Sequence, residues 1–173
     1  MENIHPMFVH FPVSLLLLYS LLEIIRFKKI HGEPYWFYVK AVVLFAGALG
    51  SIATYLTGET AAGLYDGPVP QAIESHSNFG LATVIFFCIM AVLYLVGWLR
   101  RKNYTPFQRW QFGQKIWEAL VPFEKLLTES NFGIIVALIG GTLISITGAL
   151  GGLIAYGPEN DTVSRIIFET FFK

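Results

Sequence analysis

Residues 132–156 read FGIIVALIGGTLISITGALGGLIAY, a run of 25 residues without a charged side chain. A helix needs about 20 apolar residues to cross a hydrocarbon core of about 30 Å. This run is therefore long enough to span a membrane as a single helix. The whole chain has the same bias, since 54% of its 173 residues are hydrophobic and only 14% are charged. Such a composition excludes an ordinary soluble domain and indicates a membrane protein.

Three further apolar stretches are long enough to be spans. The four predicted spans are residues 7–25, 35–57, 79–99 and 132–156. The connections between them are too short for a second domain, so residues 1–173 are expected to form one all-α unit, an integral membrane four-helix bundle with up-down topology. Residues 105–127 alternate aromatic and polar side chains, which predicts an amphipathic helix on the membrane surface, ended or bent at Pro122. The last residues, 162–172, are expected to lie at the opposite interface.

The basic residues indicate the orientation. Two connections carry ten of the twelve lysines and arginines: Arg26, Lys28, Lys29, Lys40, Arg100, Arg101, Lys102, Arg109, Lys115 and Lys125. The other side carries mainly acidic residues: Glu2, Glu59, Asp66, Glu74, Glu159, Asp161 and Glu169. Because basic loops stay in the cytoplasm, both termini and the loop 58–75 are expected to face outward. The net charge of zero suggests no nucleic-acid partner.

This topology brings three of the four histidines to the outward side. His5 and His10 lie at the start of the first span and His76 at the start of the third, whereas His31 lies on the cytoplasmic side. An imidazole beside lipid is costly unless it binds something, so ionisable groups in such positions are functional candidates. The three side chains therefore predict a haem or metal site near the outer face.

A b-type haem is the first interpretation of this site. His10 and His76 are expected to be its axial ligands, with His5 as a hydrogen-bond donor or a contact of a propionate. Helices one and three are diagonal in an up-down bundle, so a flat macrocycle between them needs small residues around it. The residues expected to leave that space are Thr54, Gly80, Gly148, Gly151 and Gly152.

Two alternatives stay open. The three histidines, with Glu59, Asp66 or Glu74, are also suited to bind a Zn, Cu or Fe ion without haem. Alternatively, the histidines only hydrogen-bond at the interface, and the small residues on spans two and four serve close helix packing in a structural subunit without a cofactor. No nucleotide-binding or hydrolase motif is present, so an electron-transfer or binding subunit is favoured over a stand-alone enzyme.

The string IHPMFVHFPVSLLLL, residues 4–18, resembles the signature of a bacterial membrane-protein family, catalogued as domain of unknown function 2231. Shorter similarities continue at Gly58, Glu59 and Ala61, at Glu74 and His76, and in GGLIAYG, residues 151–157. This chain departs from the pattern at Gly157, where relatives often have a histidine. Some relatives are joined to Rieske or cytochrome c domains. The resemblance therefore implies a protein of the bacterial inner membrane and favours electron transfer with a redox partner or other membrane subunits. The outward termini inferred from the basic residues would then be periplasmic, and the oligomeric state stays open.

One ionisable residue is expected to lie near the cytoplasmic end of the first span, without belonging to this site. Glu23 precedes Arg26 by three residues, a spacing at which side chains on a helix meet. The sequence therefore predicts an ion pair between them at the cytoplasmic interface, and a role of Glu23 in proton transfer is the less favoured alternative.

Overall fold

The computed structural model describes residues 5–25, 32–63, 70–104, 106–107, 110–159 and 162–173. Within these ranges the chain forms six helices and no strand. They are α1 (His5–Ile24), α2 (Pro34–Ala62), α3 (Pro70–Arg101), α4 (Gln111–Glu129), α5 (Phe132–Tyr156) and α6 (Thr162–Phe171). The prediction of an all-helical chain is confirmed.

Three of the described helices are long and apolar enough to cross a membrane. They are Pro34–Ala62, Gln71–Arg101 and Phe132–Tyr156, which contain the predicted second, third and fourth spans. The apolar part of α1 is shorter, running from Phe8 to Ile24. Since a helix rises about 1.5 Å per residue, that segment falls short of the usual thickness of a hydrocarbon core. A bundle of four complete spans therefore stays a prediction.

The helices pack in a cyclic order that sets α1 opposite α3. Both of these helices pack against α2 and against α5. Across the centre, the ring of Tyr19 on α1 meets the rings of Phe87 and Tyr94 on α3 edge to face, with centroids 6.2 and 5.6 Å apart. All three rings are almost fully buried. Aromatic pairs in this geometry fill the middle of the molecule.

The two ends of the molecule differ in chemistry. The histidine end contains the start of α1 and α3, with His5 and His76, and the last turns of α2 and α5. The basic end contains the start of α2 and the end of α3, with Arg100 and Arg101. The short helix α6 packs against α5 at the histidine end, where Phe171 meets Phe79 edge to face.

Helix α4 covers the basic end and packs against α3 and α5. Pro122 lies inside the helix, which continues to Glu129, so the expectation that Pro122 ends it is wrong. Leu127 faces the protein and is buried, whereas Phe112, Ile116, Phe123 and Leu126 are exposed. Part of the apolar surface of α4 is therefore covered by protein, and part is open, as an interfacial helix requires.

A buried carboxylate attaches α4 to α3. Glu124 is fully buried and accepts hydrogen bonds from Arg100 Nε at 2.9 Å, Arg101 Nη1 at 2.9 Å and Thr128 Oγ1 at 2.8 Å. Gly97 provides the necessary space, because a Cβ atom at this position would lie 2.5 Å from Oε1 of Glu124. Burial by itself would raise the pKa of Glu124, but the hydrogen bonds from both arginines and Thr128 outweigh it and lower the pKa below 4.5.

The lowered pKa predicts how acid affects this attachment. A carboxyl whose folded pKa is depressed stabilises the fold above its unfolded pKa, and this contribution is lost as the pH falls through the folded pKa. Glu124→Gln is therefore expected to lower the midpoint of thermal unfolding at pH 7, and the difference from the parent protein should shrink towards zero below about pH 4. Thermal unfolding of both proteins in detergent, followed by circular dichroism at pH 7, 5 and 3, measures this difference in midpoint. A constant difference at all three pH values would contradict the prediction.

Candidate functional site

Two of the three candidate histidines meet at the histidine end. His5 is the first residue of α1, and His76 lies in the second turn of α3. Their ring centroids are 6.3 Å apart, and the ring planes are nearly perpendicular at 81°. Both side chains are partly buried. The diagonal helices α1 and α3 therefore present one imidazole each to a common space.

Hydrogen bonds orient both rings. Nδ1 of His76 lies 3.0 Å from the carbonyl oxygen of Thr147, so this nitrogen must be the donor, and the lone pair of a neutral His76 belongs to Nε2. Nδ1 of His5 lies 3.2 Å from Oγ1 of Thr57, whose hydroxyl donates to the carbonyl of Thr54 at 3.0 Å. His5 is also hydrogen-bonded to the backbone of Thr54.

Small residues on α2 and α5 lie beside the two rings. A Cβ atom on Gly58 would lie 3.0 Å from the ring of His5, and one on Gly151 would lie 3.2 Å from the ring of His76. The hydroxyls of Thr83 and Thr147 join α3 to α5 at a separation of 3.0 Å. Each imidazole is thus held between a hydrogen-bond acceptor and a helix that lacks a side chain at the point of contact.

The remaining predicted residues do not join this pair. His10 is exposed, and Thr54 donates its hydroxyl to the carbonyl of Phe8 at 3.1 Å. A Cβ atom on Gly80 would approach Tyr55 at 3.9 Å and neither histidine. The expected arrangement, with His10 opposite His76 and Gly80 beneath the ring, is therefore not the one that the structure has.

Gly148 and Gly152 border a different space. They line a groove of about 630 Å³ between α1, α5 and α6, together with Val13, Leu17 and Ser164. Neither His5 nor His76 lines this groove. Of the glycines predicted to surround a macrocycle, only Gly151 contacts one of the paired histidines.

The carboxylates of the alternative metal site are not gathered around the histidines. Glu59 accepts a hydrogen bond from Ser77 at 2.9 Å, and Glu74 is exposed. Asp66 lies outside the described residues. In the ranges that the structure covers, no group of three or more His, Cys, Asp or Glu side chains is arranged to hold a metal ion. The shell proposed for a bare ion thus has no third donor within these ranges.

Sequence reasoning overlooked Thr57, Gly58 and Thr147 as neighbours of the histidines. The pair Thr57 and Gly58 could have been noticed, because it lies at the end of span two, level with the start of span one. The sequence does not indicate the role of Thr147, because His76 contacts the backbone carbonyl of this residue and every residue has such a carbonyl.

A second polar cluster is buried near the basic end. Glu23 pairs with Lys40 of α2 at 2.9 Å, and the two side chains are 2% and 4% exposed. The hydroxyl of Tyr94 on α3 donates to the same carboxylate. The predicted partner, Arg26, lies outside the described residues. The ion pair of Glu23 is therefore made to another helix and joins α1, α2 and α3.

Comparison with known proteins gives one match. The model of a family described as a predicted membrane protein, DUF2231, matches residues 1–162. No curated protein and no solved structure matches the chain. The family carries no assigned activity in its description, so any function has to be argued from the residues.

Proposed function

We propose, for a chain that belongs to the DUF2231 family of predicted membrane proteins, that His5 and His76 are the axial ligands of a b-type haem and that the protein carries electrons at the membrane. The observation that carries this proposal is the convergence of two imidazoles from diagonal helices, each with Nδ1 within hydrogen-bond distance of a protein oxygen. Histidines that bind metals commonly use this arrangement, because it fixes the ring and makes the other nitrogen more basic.

The number of donors favours haem over a bare ion. A structural or catalytic zinc site uses three or four protein ligands, whereas haem iron needs at most two from the protein. Within the described residues only two donors converge. Two imidazoles that bind one metal through bonds of about 2 Å have ring centroids about 6 Å apart, and the observed separation is 6.3 Å.

Two glycines and two threonines surround the pair. Gly58 and Gly151 bring the backbones of α2 and α5 next to the rings, so side chains do not fill these two sides. Thr57 and the carbonyl of Thr147 hold the rings in their orientation. A haem bound here would supply reversible one-electron chemistry. The role of the protein is then to hold two neutral imidazoles and to exclude other ligands.

The absorption spectrum of the freshly purified chain tests the proposal. A membrane preparation in mild detergent is expected to show the sharp α and β bands of a low-spin haem after reduction with dithionite. A colourless protein that also fails to bind added haemin would overturn the assignment. Metal analysis of the same sample then distinguishes a bound Zn, Cu or Fe ion from a protein without a cofactor.

The proposed orientation places the histidine end on the periplasmic side of the bacterial inner membrane. It rests on the ten basic residues of the two connections assigned to the cytoplasm. In a Cys88→Ala background, Asp66→Cys is expected to react with an impermeant thiol reagent in spheroplasts, and Asn103→Cys is expected to react only after lysis. The reverse labelling pattern would place the histidines on the cytoplasmic side.

A further inference from the structure

Pro12 deprives one backbone carbonyl of α1 of its usual donor. It lies inside α1, where another residue would give its N–H to the carbonyl of Phe8, four residues earlier. Proline has no N–H, and its ring also pushes that carbonyl away from the helix. Phe8 begins the apolar segment of α1, and the hydrocarbon of a membrane offers no replacement donor. A donor for this carbonyl therefore has to come from outside α1.

Thr54 of α2 supplies this donor. Its Oγ1 donates to the carbonyl of Phe8 at 3.1 Å. Serine and threonine hydroxyls satisfy backbone groups that a proline has freed in other membrane helices. The hydroxyls of Ser20, Thr142 and Ser145, by contrast, donate to carbonyls of their own helices. The hydroxyl of Thr54 thus joins two helices where similar side chains bond within one.

The face of α2 that packs on α1 accommodates the proline. A Cβ atom on Gly50 would lie 3.3 Å from Pro12, and one on Gly58 would lie 3.0 Å from the ring of His5. Gly50, Thr54 and Gly58 are spaced four residues apart, so they lie along one face of α2. Pro12 is buried against this face. The two glycines let α1 approach closely, and the hydroxyl between them lies level with the freed carbonyl.

The backbone of Thr54 also holds the ring of His5. Its carbonyl accepts a hydrogen bond from His5 and another from the hydroxyl of Thr57 at 3.0 Å. Phe8 follows His5 by three residues, so the two lie on nearly the same face of α1. Thr54 therefore fixes α1 at two points almost one turn apart, with its hydroxyl at Phe8 and its carbonyl at the imidazole.

We propose that Thr54 is a positioning residue, whose hydroxyl replaces the donor that Pro12 lacks and thereby directs His5 towards His76. Without this hydroxyl, the carbonyl of Phe8 has to stay unpaired or to turn until it meets water, and the first turn of α1 moves with it. This role concerns the direction of the His5 ring, so it does not depend on which group the histidine pair binds.

Nuclear magnetic resonance of the full chain in mild detergent, with isotope-labelled histidine rings, tests this role. Thr54→Val keeps the shape of the side chain and removes the hydroxyl, so it is expected to shift the ring signals of His5 and His76. Thr54→Ser keeps the hydroxyl and is expected to leave both signals close to those of the parent. Thr142→Val is the matched control, because the hydroxyl of Thr142 donates to Leu138 of its own helix. It is expected to leave the signals of His5 unchanged.

A second background relates the effect to the proline. Pro12→Ala restores an N–H that can donate to Phe8 within α1. Adding Thr54→Val in this background is therefore expected to shift the signals of His5 far less than it does in the parent. Equal shifts in the two backgrounds, or no shift in Thr54→Val, would overturn the proposal, as would a Thr54→Ser variant that resembles Thr54→Val.

The same double variant covers the case in which Thr54→Val alone does not fold. The proposal then requires that Pro12→Ala restore folding, and an unfolded double variant would contradict it. The comparison between variants needs no bound group. A protein that binds no haem would therefore overturn the assignment of the axial ligands and leave the role of Thr54 to be decided by the signals of His5.

Discussion

His5→Ala and His76→Ala are each expected to abolish the reduced spectrum of a low-spin haem, whereas His10→Ala is expected to leave it intact. A six-coordinate low-spin haem needs both axial nitrogens, and the structure pairs the rings of His5 and His76 at 6.3 Å. His10 is exposed and does not take part in the pair. Spectra of the three variants, normalised to protein concentration and recorded oxidised and reduced, measure the effect.

Thr57→Val gives an intermediate case. It removes the hydroxyl that lies 3.2 Å from Nδ1 of His5 while preserving the volume of the side chain. Loss of such a hydrogen-bond partner commonly weakens metal binding about 10- to 100-fold. The variant is therefore expected to bind haem more weakly but still to show the α and β bands of a reduced low-spin haem. If His10→Ala removes the spectrum and His5→Ala does not, the assignment of ligands is wrong.

Breaking the buried ion pair is expected to have the second large effect. Glu23→Ala or Lys40→Ala leaves one charge buried without its partner, which costs about 3–5 kcal/mol. The double variant Glu23→Gln with Lys40→Met removes both charges and is expected to recover most of that loss, because a buried pair gains little over a well-packed neutral replacement. Unfolding in mixtures of mild detergent and SDS, followed by circular dichroism, measures these differences.

A matched control for this pair exists on α6. Glu169 and Lys173 form an ion pair at 3.3 Å with side chains 52% and 63% exposed. Glu169→Ala is expected to cost less than about 1 kcal/mol, since exposed pairs contribute little. A single variant at Glu23 that costs no more than this control would show that the Glu23–Lys40 pair is not buried in the membrane-embedded protein.

The prediction of His5, His10 and His76 at one end depended only on chain direction, but the choice between His5 and His10 as the partner of His76 did not. His5 and His10 are five residues apart, which corresponds to a rotation of about 140° on a helix. Only one of the two side chains can therefore face α3. The sequence expectation chose His10 because Thr54 and residues 148–152 are expected at about the same depth, whereas the packing of α1 against α2 and α5 turns His5 inward.

The partner of Glu23 likewise shows that spacing along one helix does not predict a contact with another helix. Local spacing on one helix suggests Arg26, because residues three apart lie on the same face. Lys40 is seventeen residues away, on α2, and meets Glu23 only because α1 and α2 pack side by side in opposite directions. A contact between two helices depends on the rotation of both about their axes, and a periodic pattern in one helix does not specify that rotation.

The amino-acid pattern was enough to predict a helical membrane protein, because long uncharged runs are stable in lipid only when their backbone hydrogen bonds are satisfied within helices. It also determined which chemical groups lie at each end. The tertiary structure alone decided that His5 rather than His10 meets His76, that Lys40 neutralises Glu23 and that Gly97 makes room for Glu124. These pairings follow from close packing of neighbouring helices, which rotates each helix to the one face that fits.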